Sequence, residues 1–223
     1  MEATAVMGGD ARGERKASQF EKQVSAMDVS DEDMLRGNVY GLLARVLAAP
    51  MSDETLEMVR SLDGSDDDTE LGRALESLGV LAARTPRGKA EDEYTSLFYG
   101  AGAGGEMTPY ASFYETGFIY ERPLAELRKD MIELGIERSG TTVEPEDHIA
   151  TLCEIMHGLI TGAFGPPPSV ERQRQFFNRH IANWAGLFFE DLEGAESGVL
   201  YMPIGTVGKL FMAVEAEAFE MAA

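Results

Sequence analysis

Glu144-Pro145-Glu146-Asp147-His148-Ile149-Ala150-Thr151-Leu152-Cys153-Glu154-Ile155-Met156-His157-Gly158-Leu159-Ile160-Thr161-Gly162-Ala163 carries the clearest periodicity in the chain. Ile149, Leu152, Cys153, Met156, Leu159, Ile160 and Ala163 recur at i, i+3, i+4 and i+7, the spacing that lays one apolar stripe along a helix. Pro145 at a first helical position, with acids in the first turn, suits a helix N-terminus, where the backbone dipole favours negative charge. The reading is a central helix from about Glu144 to about Ala163, closed by Gly165-Pro166-Pro167-Pro168. On a helical wheel Glu144, Asp147 and Thr151 share a polar face. Asp147 points almost opposite the stripe, and His148 lies at its edge.

Helical spacing continues on both sides of this stretch. Ser30 caps a helix whose Leu35, Val39, Leu42, Leu43, Val46 and Leu47 run up to Pro50, and Ser52 starts a second. Gly64 to Asp68 is an acidic turn. Further segments span about 69–84 and about 89–99. After the glycines of 100–105, residues 109–120 are aromatic and read as ordered loop with a short helical turn. Pro123 starts a helix that stops at Gly135. Ser169 caps one long helix to about Leu192, and a last helix covers about 205–221. No alternating strand pattern competes, so the fold class is all-α: a single-domain helical bundle over 29–223. Residues 1–28, small and polar, read as a flexible arm, and 100–106 as a mobile glycine-rich hinge that opens or closes a groove between Phe98 and Tyr110.

The charge balance narrows the function. Nineteen Lys and Arg against 39 Asp and Glu give a net charge of −20. Such a field repels nucleic acid and anionic membranes and steers basic partners inward. Cys153 stands alone, so neither an intrachain disulfide nor a Cys-rich zinc site is available. No apolar run reaches the about 18 residues of a membrane span, and the first residues do not form a secretory signal. The expected location is cytoplasmic.

Chemistry-bearing motifs mostly fail their context tests. Gly100, Gly102 and Gly105 match a dinucleotide fingerprint, but a helix rather than a strand precedes them. Glu154 and His157 form one Glu-x-x-His pair, where a di-iron bundle needs two pairs and further glutamates. No metal or cofactor is therefore expected. His180, beside the stripe Phe177, Ile181, Trp184 and Phe188, reads as a structural histidine. Asp147 and His148 are either an ordinary helix start or polar groups at a helix N-terminus beside a groove.

Several pieces in order resemble the TorD/DmsD/NarJ family of redox-enzyme maturation chaperones, nearest its TorD-like branch. They are Glu93-Tyr94-x-x-Leu97-Phe98, Pro109-Tyr110-x-Ser112-x-Tyr114, Leu127-Arg128, Glu144-Pro145-Glu146-Asp147-His148-Ile149-Ala150, and Phe177-x-x-His180-x-x-x-Trp184 with Glu190-Asp191-Leu192-Glu193. The Glu-Pro-x-Asp-His piece is the most specific. The resemblance implies a chaperone without enzymatic chemistry of its own. Its partner is the apo catalytic subunit of a molybdenum-cofactor oxidoreductase, or that subunit's basic twin-arginine signal peptide, held until cofactor insertion. It also implies client-binding positions at Glu144, Pro145, Asp147 and His148, with Tyr110, Ser112 and Tyr114 and the patch Tyr94, Leu97 and Phe98. With no phosphate cradle in the sequence, guanine nucleotide is not an expected ligand. Two other classes compete: a helical enzyme using Asp147 and His148 as an acid/base pair, and a generic acidic helical adaptor.

Overall fold

The computed structural model describes residues 29–63, 68–100, 104–137 and 144–222. The expected arm at 1–28, most of the acidic turn and residues 101–103 of the expected hinge lie outside the described residues. Among the described residues every regular element is helical, and the only extended pairing is an isolated bridge between Tyr110 and His148.

The N-terminal helices begin where their caps stand. In α1 (Asp31–Ala48), α2 (Asp53–Arg60) and α3 (Glu70–Arg84), the side chains of Ser30, Ser52 and Thr69 accept from the backbone N–H three residues on. Each satisfies a donor that the first helical turn leaves open. Next, α4 (Arg87–Tyr94) runs into a π-helical turn, Thr95–Tyr99, which ends at Gly100. Gly100 has φ +61°, and a Cβ there would lie 1.8 Å from the Gly104 carbonyl oxygen, so only glycine fits. The hinge flanks are tied, since the Met107 N–H donates to the Leu97 carbonyl at 2.7 Å.

The short α5 (Ala111–Thr116) and α6 (Arg122–Glu133) precede the central helix, α7 (Ile149–Thr161). Helix α7 is shorter than its sequence suggests at both ends. It begins at Ile149, with His148 rather than Glu144 at the boundary, and it closes at Gly162 in the left-handed region, leaving Ala163 exposed. Its buried face includes Ala150 and Ile155 as well as the predicted stripe from Ile149 to Ile160, so α7 is core on most sides and packs chiefly on α1.

The long helix expected from Ser169 is two helices, α8 (Val170–His180) and α9 (Ala185–Glu193). Between them Trp184 folds back, its indole N–H donating to the His180 carbonyl at 2.8 Å. The stripe Phe177, Ile181, Trp184 and Phe188 stays buried across the break. The last helix, α10 (Tyr201–Met221), starts a turn earlier than the sequence suggests and packs against α9 and α3.

Arg36 of α1 joins the first and last described helices by donating to both carboxylate oxygens of Glu215 on α10, at 2.7 and 2.9 Å. The carboxylate is almost fully buried, so this bidentate pairing keeps an otherwise costly charge satisfied inside the bundle. Among the described residues no helix is long and apolar enough to cross a membrane.

Candidate functional site

The stretch 144–148 is a pinned turn laid alongside residues 109–112. The Ala111 N–H donates to the Asp147 carbonyl at 3.0 Å, and the Ile149 N–H to the Pro109 carbonyl at 2.9 Å. Three side chains reinforce the seam. The Tyr110 hydroxyl donates to the Glu144 carboxylate. Arg128 of α6 donates to Glu146 through Nε at 3.0 Å and Nη2 at 2.7 Å. Asp147 Oδ2 accepts from the Ser112 backbone N–H at 2.9 Å and from its Oγ at 2.5 Å.

Asp147 is therefore 1% exposed and caps α5 from another part of the chain. This corrects the wheel placement, which set it opposite the core. Because the helix starts only at Ile149, Asp147 belongs to a turn whose side chain faces inward. Its Oδ1 is buried and makes no hydrogen bond among the described residues.

His148 is the N-cap of α7, its Nδ1 accepting from the Ala150 N–H at 3.1 Å and its ring standing edge-on to Tyr110 at 5.2 Å. Burial pushes its pKa down to about 4, so the ring is a neutral acceptor near pH 7. No hydrogen bond joins the Asp147 carboxylate to this ring among the described residues, and each group is committed to capping a different helix. An acid/base pair does not form from them.

The aromatic positions separate into two groups. Tyr110 and Tyr114 are half-buried. The Tyr114 hydroxyl donates to Asp191 at 2.8 Å, and its ring lies on Trp184 at 5.4 Å. Burial and the neighbouring carboxylates, Glu144 and Asp191 respectively, push both phenols up. Tyr94 and Leu97 are core, and Tyr94 donates to the Leu47 carbonyl at 3.2 Å. Phe98 packs on Tyr94 and Tyr201.

A groove of about 1030 Å³ runs between α1 and α7. Its floor is apolar, with Leu35, Val39 and Leu42 of α1, Met58 of α2, Met131 of α6 and Ile155 of α7. Its walls carry Asp63, Glu137, Glu144, Glu146 and Glu154, with Arg45 the one basic lining residue. Of the sequence-predicted positions only Glu144 and His148 line it; Pro145, Asp147, Tyr110, Ser112, Tyr114, Tyr94, Leu97 and Phe98 do not.

Helices α1 and α7 meet closely at one end of the groove because Gly37 and Gly41 face His157. The His157 ring lies 2.7 Å from the Gly37 carbonyl oxygen, and a Cβ on Gly41 would come within 3.1 Å of Nδ1. Chemically the groove offers carboxylates and aliphatic surface, which suits a ligand with a basic head and an apolar body. Periodicity missed it because Leu35, Val39 and Leu42 read as ordinary core, and only the pairing of α1 with α7 leaves them lining a groove.

A smaller cavity of about 440 Å³ lies beside Arg172, Arg174 and Arg179. These arginines are paired with Glu133, Glu171 and Asp130 respectively, so no net positive cradle results. His180 also contacts Asp130, at 2.7 Å, which makes it the structural histidine the sequence indicated. Glu93, quoted in the sequence without a role, accepts from the N–H groups of Val199, Leu200 and Tyr201 at 2.9, 2.7 and 3.3 Å and so caps α10. Among the described residues no group of three or more His, Cys, Asp or Glu could hold a metal ion.

Comparison with known proteins adds independent information. The family model described as the nitrate reductase delta subunit matches residues 65–190. The chaperone protein TorD of Vibrio parahaemolyticus is 23% identical over 188 residues, covering 76% of this chain and 87% of its own. TorD of Photobacterium profundum is 26% identical over 185 residues, with 74% and 85% covered. TorD of Shewanella pealeana is 20% identical over 213 residues, with 87% and 94% covered. Among solved structures, one described as a redox enzyme maturation protein from Archaeoglobus fulgidus superimposes with a TM-score of 0.52 at 19% identity, over 80% of this chain and 93% of that one. That likeness supports the fold.

Proposed function

The chain belongs to the nitrate reductase delta subunit family, and from that premise we propose that it is a cytoplasmic chaperone for the maturation of a redox enzyme. Its client is the apo catalytic subunit of a molybdenum-cofactor oxidoreductase, recognised through a basic N-terminal segment of the twin-arginine signal type. The observation that carries this reading is the groove between α1 and α7, with its apolar floor and its walls of carboxylates. A twin-arginine segment presents the complementary order, cationic side chains followed by an apolar stretch. The similarity to TorD chaperones supports the client class. The Glu144–His148 turn serves the groove in two ways: Glu144, Glu146 and His148 line it, and Asp147 holds the turn in place by capping α5.

The test follows from the division of labour. Asp147→Ala would strip the α5 cap and confound binding with folding. Glu137 and Glu154 are exposed, line the groove and form no ion pair among the described residues, so their reversal leaves the core alone. Calorimetric titration of a synthetic twin-arginine signal peptide is expected to show Glu137→Lys/Glu154→Lys binding about tenfold more weakly than the parent, roughly 1.4 kcal/mol. A peptide with both arginines replaced by glutamine should lose the difference between the two proteins. Equal affinities, with unchanged thermal unfolding, would place the client elsewhere on the molecule.

A further inference from the structure

Resting on the groove reading above, we infer that the client leaves the groove at its Glu144 end and lays its apolar stretch on an aromatic tip, Phe118-Ile119-Tyr120, between α5 and α6. Phe118 and Tyr120 are 70% and 65% exposed, and Phe113 and Ile119 are exposed as well. Four large apolar side chains open to solvent within eight positions make the kind of patch that marks an interaction surface. The tip is held in that form. Among the described residues Tyr120 is the one residue other than glycine at positive φ, +65°, a left-handed conformation that is costly for a bulky side chain. The Phe118 N–H donates to Thr116 Oγ1 at 3.3 Å, and that hydroxyl donates to the Ser112 carbonyl at 2.7 Å. Ser112 is also the residue whose N–H and hydroxyl donate to Asp147, so the tip is built on the same seam as the 144–148 turn.

Position makes the tip a continuation of the groove. Gly37 of α1 lies against Thr161 and Gly41 against His157, so α1 and α7 run antiparallel and the groove has Ala48 and Ala150 at one end. Glu144 and Glu146 stand just before α7 at that end. Tyr110 donates to Glu144, and Tyr120 lies close enough to the Tyr110 phenol to help push it up. The groove carboxylates divide into two kinds. Glu144 and Glu146 already accept from Tyr110 and Arg128, whereas Glu137 and Glu154 are exposed and form no ion pair among the described residues. The client's arginines therefore settle on Glu137 and Glu154, and the apolar residues that follow cross Ala150 and the 144–148 turn to reach Phe118 and Tyr120. Charge argues against a lipid surface as the occupant. Residues 113–126 carry Glu115, Glu121 and Glu126 against Arg122 alone, and Arg122 lies 3.7 Å from Glu126.

The experiment uses the full chain and two synthetic twin-arginine peptides, one complete and one ending at its arginines. Phe118→Ser/Tyr120→Ser is expected to bind the complete peptide about tenfold more weakly than the parent, and the short peptide equally well. Ile132→Ser, which removes an exposed side chain of α6 outside the groove lining, should change neither. On the parent protein, a benzophenone at the apolar end of the complete peptide should cross-link to residues 113–122, and one beside the arginines should cross-link to the groove.

A complete peptide that binds the parent and the double variant alike, with its apolar end cross-linked elsewhere, overturns this inference and leaves the client reading standing. A parent protein that binds neither peptide overturns the client reading and this inference with it. Tip-dependent binding to vesicles of phosphatidylcholine and phosphatidylglycerol, or tip-dependent dimerisation, with peptide affinity unchanged, overturns it by assigning the tip to a membrane or to a second copy.

Discussion

His148 is held neutral by geometry as well as by burial. Its Nδ1 spends its lone pair on the Ala150 N–H, and a proton on that nitrogen would abolish the cap of α7. Burial acts in the same direction, setting the native pKa near 4, whereas the unfolded chain takes up the proton near the ordinary value of about 6.5. Between those values the unfolded state binds more protons, so stability falls as pH falls. From pH 7 to pH 5 the His148 contribution is a loss of about 2 kcal/mol. His148→Asn keeps a capping acceptor but has no proton to gain. Urea unfolding at the two pH values should show the parent losing about 2 kcal/mol more than the variant. Equal losses would mean that the ring already shares its proton with solvent in the native state. Asp147, its neighbour, was misplaced by the wheel for a reason visible only in three dimensions. Glu-Pro-Glu-Asp has the composition of a helix start, yet pairing with residues 109–111 draws the backbone out of the helix and turns the carboxylate toward Ser112.

At the scale of elements, the joint between α9 and α10 depends on the absence of side chains. A Cβ on Gly205 would lie 2.4 Å from the Glu193 backbone nitrogen and 2.8 Å from the Phe189 carbonyl oxygen, atoms that cannot step aside without moving α9. Gly205→Ala is expected to cost about 3 kcal/mol, at the upper end of overpacking penalties. Gly186, on α9 with nothing within 4 Å of its added Cβ, is the control: Gly186→Ala should be neutral or slightly stabilising. Denaturant midpoints that shift alike would show that α9 floats on α10 rather than seating on it. The elements also show what can be read in one dimension. Ser30, Ser52 and Ser169 announced their helices because capping is local chemistry, and each accepts from the N–H three residues on. The break before Ala185 was invisible because Phe177, Ile181, Trp184 and Phe188 keep helical spacing across it. The early start of α10 was hidden as well, since its cap, Glu93, lies 108 positions from Tyr201. The α1–α7 groove escaped for the same reason: two helices far apart in sequence make it, and each alone looks like core.

For the whole molecule the governing quantity is charge, and it was legible from composition alone. A net charge of −20 surrounds a groove with carboxylate walls, so a basic segment is attracted well before it makes contact. That attraction acts over a distance set by salt: the screening length shrinks from about 30 Å at 0.01 M to about 10 Å at 0.1 M. Contacts on the apolar floor operate only after docking, where bulk ions penetrate little. The two stages should therefore separate kinetically. Between about 0.02 and 0.5 M sodium chloride, the association rate of the synthetic twin-arginine peptide should fall about tenfold, with a much smaller change in dissociation. The glutamine-substituted peptide should associate slowly at every salt concentration. Stopped-flow fluorescence on a peptide labelled at its apolar end would measure both rates. A salt effect carried mainly by dissociation would mean that the arginines make close, desolvated contacts with the groove carboxylates, and that the long-range field does not set the encounter rate.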